Sequence, residues 1–236
     1  LAAAEAGGRP TVSLFVLDDR LLGGSRPPIS RLRFLGDALR DLDHSLRSLG
    51  GGLVVRRGNW AAEVINTAAA VGAREVHLAD DHSSFAVDRF RQLEAMATDT
   101  KSEVYRHPGV AVVPPSALEP TGGGEYKIFT PYYRRWSAAD WRPTEPVPKQ
   151  LAGPDLESGH NLLDLLPPST KESGIVGGET AGRRRLSAWL DGPLDSYEDG
   201  RDTPAGEHTS RLSAYLHLGC LSPLEVALAA SEHPAG

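Results

Sequence analysis

Cysteine is nearly absent from this 236-residue chain: Cys220 stands alone, so no disulfide closes within it and no cysteine-rich metal site can form. Its expected role is packing. None of the eight histidines shows the spacing of a helical or hairpin metal-ligand pair, so no metal is expected. No apolar run approaches the roughly 18 residues of a membrane span. The opening LAAAEAGGRPTVSLFVLDD has no starting Met, basic leader or apolar signal core, which leaves a cytoplasmic location as the default expectation. An excess of positive charge is missing too: the net charge of −6 argues against a chain that coats nucleic acid through a general field, so any such contact must be local. There is no Gly-x-Gly-x-x-Gly, no Walker-type loop and no Gly-x-Ser-x-Gly elbow. Although His208 and His217 lie near Ser210 and Ser213, no triad context accompanies them, and no catalytic side chain is assigned.

What is present is ordinary for a soluble globular protein, with 40% hydrophobic and 24% charged residues. From Thr11 to Val113 apolar runs alternate with amphipathic stretches. Val12 to Leu17, Leu53 to Val55, Val76 to Ala79 and Val110 to Val113 read as strands. Helices fill the gaps: Ser30 is placed to cap one running to Leu49, Asn59 to cap another running to Val71, and a third covers Phe85 to Met96. Alternation of this kind implies an α/β fold, a parallel doubly wound sheet of Rossmann type with ligands beyond the carboxyl ends of its strands. Asp18 and Asp19 end one strand, and Asp80 and Asp81 another. Paired acids there suit a magnesium-dependent phosphohydrolase but more often cap the next turn.

Residues 143–176 break every periodic pattern with six prolines and several glycines, and read as an interdomain linker. Residues 1–142 then form an α/β domain with a first connecting helix. Residues 177–236 begin an all-α domain with helices at Glu179 to Leu190, Leu194 to Asp199, Thr209 to Leu218 and Ser222 to Ser231. Within it, Thr209 and Ser210 fall where a helix is predicted to start, with Arg211 beside them. Hydroxyls, first-turn amides and a planar cation together suit an anion such as phosphate, although Thr-Ser-Arg alone is also an ordinary cap. Basic residues cluster at Lys127, Arg134 and Arg135 and again at Arg183 to Arg185, patterns that usually mark a solvated helix face.

The longer string around that start resembles the flavin-binding signature of the DNA photolyase and cryptochrome family: Tyr197, Arg201-Asp202 with Pro204, Thr209 to Ser213, then Gly219 to Pro223. Gly177 to Ala181, and Tyr126 to Tyr133 with Trp136, are similar to further landmarks of the family in the same order, so the resemblance spans essentially the whole chain. It implies an α/β domain joined by a long connection to a helical FAD domain. It also implies that the family's opening strand and most of the flavin domain, with the residues that hold the isoalloxazine ring, are not in this sequence.

By that resemblance Tyr197, Thr209, Ser210, Arg211, Leu212 and Ser213 would bind FAD. Arg201 would contact DNA around a lesion, with Asp202 holding its loop. An antenna pigment, methenyltetrahydrofolate or 8-hydroxy-5-deazaflavin, would lie against Phe15, Arg31 and Asp81. His82 to Phe85 departs from the family's usual sequence near the antenna, and Ala214 and His208 stand where Pro and Gly are common. The implied activity is light-driven repair of cyclobutane pyrimidine dimers in DNA by a monomeric class I photolyase, a carbon–carbon lyase, with no repair expected of residues 1–236 alone. Two alternatives stay open: a cryptochrome photoreceptor that shares fold and flavin, and a nucleotide-binding α/β module without redox chemistry.

Overall fold

The computed structural model describes residues 1–6, 8–22, 28–120, 122–154, 156–170, 174–203 and 208–233. After a short helix α1 (Ala2–Glu5), strand β1 (Ser13–Asp18) leads through α2 (Asp19–Leu22) into the long helix α3 (Ile29–Ser48) and then strand β2 (Leu53–Gly58). Helix α4 (Trp60–Ala70), strand β3 (Glu75–Ala79), helix α5 (Ser84–Thr100) and strand β4 (Glu103–His107) complete the α/β part. Both strand pairs are parallel, with Ser13 opposite Leu53 and Glu75 opposite Glu103, as helical crossovers require.

Strand alternation explains the layers, because successive side chains point to opposite faces. On β1, Leu17 joins Leu39 and Leu46 of α3 and Leu53 and Val55 of β2 in one cluster. Val16 points the other way, to Val64 and Ile65 of α4 and Leu93 and Ala97 of α5. Helices therefore cover both faces, the doubly wound arrangement predicted from the sequence. Asn59 and Ser83 cap α4 and α5 by accepting hydrogen bonds from the N–H groups of Ala62 and Ala86.

The structure corrects three local expectations. First, Val110 to Val113 is not a strand; the fourth strand is Glu103–His107. Its residues are too polar for an apolar run to reveal it, while Pro108 and Gly109 break the chain just before Val110. The carbonyls of Ala111 and Val112 instead accept hydrogen bonds from Arg142 at 3.0 and 2.8 Å. Second, Ser30 does not cap α3, which starts at Ile29 behind Pro28 with no side-chain cap bond. Third, the parallel sheet is in two pieces, β1 with β2 and β3 with β4. Between them lies a groove of about 720 Å³ lined by Leu14, Val16, Val64, Val76 and Leu78. Apolar side chains from both pairs face this space in place of a ladder joining β1 to β3.

The Pro- and Gly-rich stretch from 143 to 176 follows the α/β surface. Leu151, Leu163 and Leu166 are buried in the α3-side cluster. Its backbone supplies partners as well: Val55 N–H donates to the Ser158 carbonyl and Leu151 N–H to that of Leu49, both at 2.7 Å. Beyond it come α7 (Glu179–Leu190), α8 (Tyr197–Gly200), α9 (Ser213–His217) and α10 (Pro223–Ser231), while α6 (Phe129–Ser137) precedes it. Phe34 on the far side of α3 meets Leu186, Leu212, Tyr215 and Leu221 in a third cluster.

Candidate functional site

Helix α3 organises the candidate site through three polar side chains and one aromatic. Asp41 takes the N-terminus of α7, accepting from Thr180 N–H at 2.9 Å and from Thr180 Oγ1 at 2.8 Å. A carboxylate there meets both an unpaired donor and the positive end of the helix dipole. The two glycines before α7 let the backbones approach. A Cβ on Gly177 would lie 2.0 Å from the Phe34 carbonyl oxygen, and one on Gly178, whose φ is 110°, would meet Asp41 at 2.8 Å. Arg40 donates from Nη2 to the Leu163 and Leu166 carbonyls at 3.0 Å, and Asp37 accepts from Ser169 N–H and Gly177 N–H, both at 3.4 Å. The Gly177 to Ala181 landmark is thus a bracket between two regions.

The candidate phosphate residues fall on a turn. The helix predicted from Thr209 starts only at Ser213 and ends at His217, with Leu212 at its N-cap. The cause is visible in the backbone: Arg211 has φ 51°, a left-handed conformation that no helix continues through, and Leu212 returns to φ −86° and ψ −5°. Left-handed and right-handed residues in succession turn neighbouring N–H groups toward one side, a concavity that suits an anion. Thr209 to Arg211 thus lie on a turn before the helix, whose first-turn amides begin only at Ser213.

The predicted residues converge only in part. Thr209, Arg211 and Ser213 are exposed, and Ser210 is half-buried with its carbonyl accepting from Arg185 Nε at 3.0 Å. Leu212 is 2% exposed and anchors the turn in the cluster with Phe34 and Tyr215. Tyr215 donates from its hydroxyl to the Val176 carbonyl at 2.8 Å, and its ring meets Phe34 edge-on with centroids 5.0 Å apart. Tyr197 begins α8 and packs at right angles to Trp189. The end of that helix touches the turn, because a Cβ on Gly200 would lie 2.2 Å from the His208 ring. Arg201, next in the chain, is exposed, while Pro204 lies outside the described residues.

Of the basic run on α7, Arg183 is engaged by Glu179 and Glu225, and their hydrogen bonds raise its pKa. Arg184 donates to the Thr180 carbonyl, and Arg185 serves the turn. Each arginine of the run therefore has a partner within the chain. Cys220 packs against the third cluster, and burial pushes its thiol up. Of the other basic cluster, Arg134 and Arg135 lie on α6, where Phe129 and Tyr133 stack and Tyr133 stacks on Trp136, while Lys127 precedes the helix.

Phe15, Arg31 and Asp81 engage different neighbours. Phe15 packs against the α3-side cluster, Arg31 is exposed on the first turn of α3, and Asp81 accepts from Ser83 N–H at 2.8 Å. None lines the groove between the strand pairs, nor the cavity of about 810 Å³ bounded by Asp80, His82, Arg106, Tyr126 and Tyr132. The strand-end acids pair with arginines: Asp18, 2% exposed, lies 3.4 Å from Arg20 and 3.8 Å from Arg89, and Arg57 reaches Asp19 at 2.8 Å. Arg89 also covers the Trp60 ring at 4.1 Å, and burial lowers its pKa. Sequence reading missed this arginine–aromatic group, whose members are scattered over 70 positions. Among the described residues no group of three or more His, Cys, Asp or Glu could hold a metal ion.

The chain as a whole is similar to known proteins. The DNA photolyase family profile covers residues 1–151. A deoxyribodipyrimidine photo-lyase from Streptomyces griseus is 39% identical over 235 residues, 98% of this chain and 52% of the relative. A cryptochrome DASH from Gloeobacter violaceus is 30% identical over 89% of this chain and 46% of its own length. The crystal structure of a class III photolyase from Agrobacterium tumefaciens superposes with a TM-score of 0.79 at 28% identity, covering 96% of this chain and 48% of that one. The chain spans about half the length of the curated relatives it matches. It belongs to the DNA photolyase family.

Proposed function

We propose that this chain is part of a deoxyribodipyrimidine photo-lyase that repairs cyclobutane pyrimidine dimers in DNA with light, using FAD. The observation that carries the reading is the Thr209–Ser213 turn, left-handed at Arg211 and anchored by Leu212, in a chain of this family. Its donor set fits the diphosphate half of FAD: three hydroxyls, converging backbone N–H groups and the Arg211 guanidinium. When bound, reduced FAD supplies on excitation the electron that enters the dimer, opens its two cyclobutane carbon–carbon bonds and returns.

The chain's own contribution is placement. Thr209, Ser210, Arg211 and Ser213 hold the phosphates, Leu212 fixes the turn from beneath, and Tyr197 approaches from α8. Arg201, exposed beyond Gly200, grips the DNA backbone beside the dimer, and the flipped lesion enters the helical domain. Residues 1–142 act as the antenna domain, 143–176 as the connection and 177–236 as the start of the flavin domain. The antenna, methenyltetrahydrofolate or 8-hydroxy-5-deazaflavin, lies on the side of Phe15, Arg31 and Asp81. The protein works as a monomer in the cytoplasm. No helix among the described residues is long and apolar enough to cross a membrane.

The test is an absorption spectrum of the full-length gene product followed by blue-light repair of an oligonucleotide carrying one dimer. Bound flavin and repair are expected. Flavin without repair would move the protein to the cryptochrome reading, which the similarity to a cryptochrome DASH keeps in view. A well-folded protein without flavin would end both.

A further inference from the structure

Resting on the reading that the Thr209–Ser213 turn receives the FAD diphosphate, we propose that Arg185 is a positioning residue for that cofactor. The turn has no helix of its own to shape it: α9 begins only at Ser213, and Arg211 holds a left-handed φ of 51° that a side-chain-bearing residue adopts at a cost. Something outside the turn must hold it. From below, Leu212 is buried beside Phe34, Leu186, Tyr215 and Leu221. From the side, Arg185 Nε donates to the Ser210 carbonyl at 3.0 Å, in a partly buried contact across 25 residues of chain.

That single bond sets a direction. The peptide joining Ser210 to Arg211 is trans and planar, so its C=O and N–H point opposite ways. Drawing the Ser210 carbonyl toward α7 turns the Arg211 N–H away from α7, in a turn whose Thr209 and Ser213 are exposed. The donor comes from a fixed platform. Asp41 caps α7 through Thr180, and Gly182 lets Tyr215 and Leu221 pack directly on the helix, where a Cβ would come within 2.9 Å of the Tyr215 ring. Its neighbours in the basic run do not share the task, because Arg183 is held by Glu179 and Glu225 and Arg184 bends back to Thr180. Arg185 thus acts on the phosphates through the peptide it orients, and brings a positive charge to the same corner.

The test uses the full-length apoprotein and two ligands, FAD and riboflavin, which share the ring and ribityl chain, riboflavin lacking the diphosphate and the adenosine. Arg185→Leu keeps the aliphatic stem and removes the donor. It is expected to weaken FAD binding about tenfold, the scale of one lost charge-assisted hydrogen bond, while leaving riboflavin affinity unchanged. Arg185→Lys, which restores charge and a donor, should recover part of the loss. Equal weakening of both ligands would make the residue merely structural and overturn the proposal. An unchanged FAD affinity, in a protein where Ser213→Ala does weaken it, would sink the Arg185 role and leave the phosphate turn standing. Failure of the unaltered protein to bind FAD would remove both together.

Discussion

The α/β part and the segment after residue 176 hold together by different means. In the first, helices of 20, 11 and 17 residues lay apolar stripes on two parallel strand pairs, and the buried residues come from many turns of regular structure. In the second, helices of 12, 4, 5 and 9 residues are mostly too short to be specified by their own periodicity. They are tied to α3 by a carboxylate cap, two close-packed glycines and one shared aromatic cluster. Short elements gain definition from a neighbour, and here that neighbour is a helix of the other region.

The strongest way to break this contrast is to remove the residue both regions share. Phe34→Ala should cost about 3–5 kcal/mol, the usual range for deleting a buried aromatic, since Phe34 is 6% exposed and its ring meets Tyr215. Urea unfolding checks the size, and limited trypsin digestion checks the place: new cleavage should appear at Arg183 to Arg185 before any within α3. Cleavage that begins in α3 would mean that α3 depends on the later helices.

Next in size is Gly177→Val. Its Cβ would meet the Phe34 carbonyl at 2.0 Å, and a backbone atom cannot step aside as a side chain can. Overpacking of this kind costs about 1–3 kcal/mol, and Trp189 fluorescence should report the displaced α7 while the far-UV spectrum of the α/β part stays the same. Asp41→Ala follows at about 0.5–2 kcal/mol, the range for a lost N-cap, and Asp41→Asn should recover much of it by keeping an acceptor for Thr180. If Asp41→Ala left thermal unfolding unchanged, the cap would contribute nothing to docking α7.

Legibility in the sequence follows the same divide. Helix α4 with its Asn59 cap could be read to within one residue and α7 from Glu179 to Leu190 at both ends, because cap chemistry in the first and helical spacing in both are local signals. The fourth strand could not. Glu103–His107 puts Glu103, Tyr105 and His107 on one face, and an apolar run nearby drew the prediction away. The helix start assigned to Thr209 failed for a nonlocal reason: the left-handed Arg211 is sustained by Leu212 in a distant cluster and by Arg185, neither of which spacing reveals. Residue types at the Thr209–Ser213 turn were legible from family resemblance, whereas the packing that anchors the turn through Leu212 depends on Phe34 of α3.

The smallest expected effect sharpens the contrast through pH. On the β3–β4 face His77 stacks between Tyr105 and His107, with His77 Nδ1 and His107 Nε2 3.0 Å apart. Burial first, and the charge of His77 second, lower the pKa of His107 below its ordinary 6.5. The unfolded chain therefore takes up this proton at a higher pH than the folded one, so the folded state is favoured above 6.5 and loses stability as pH falls from 6.5 toward the folded value, then levels off. His107→Gln should remove that part of the loss. Hydrogen exchange of β3 and β4 at pH 7 and pH 5.5 would show faster opening at the lower pH in the parent protein and less change in the variant, with α7 the same in both. The brackets on α7 are carboxylates and guanidiniums, whose reference values lie outside that window. Equal acid loosening of parent and variant would assign the titration to another group and detach the His77–His107 contact from the stability of the strand pair.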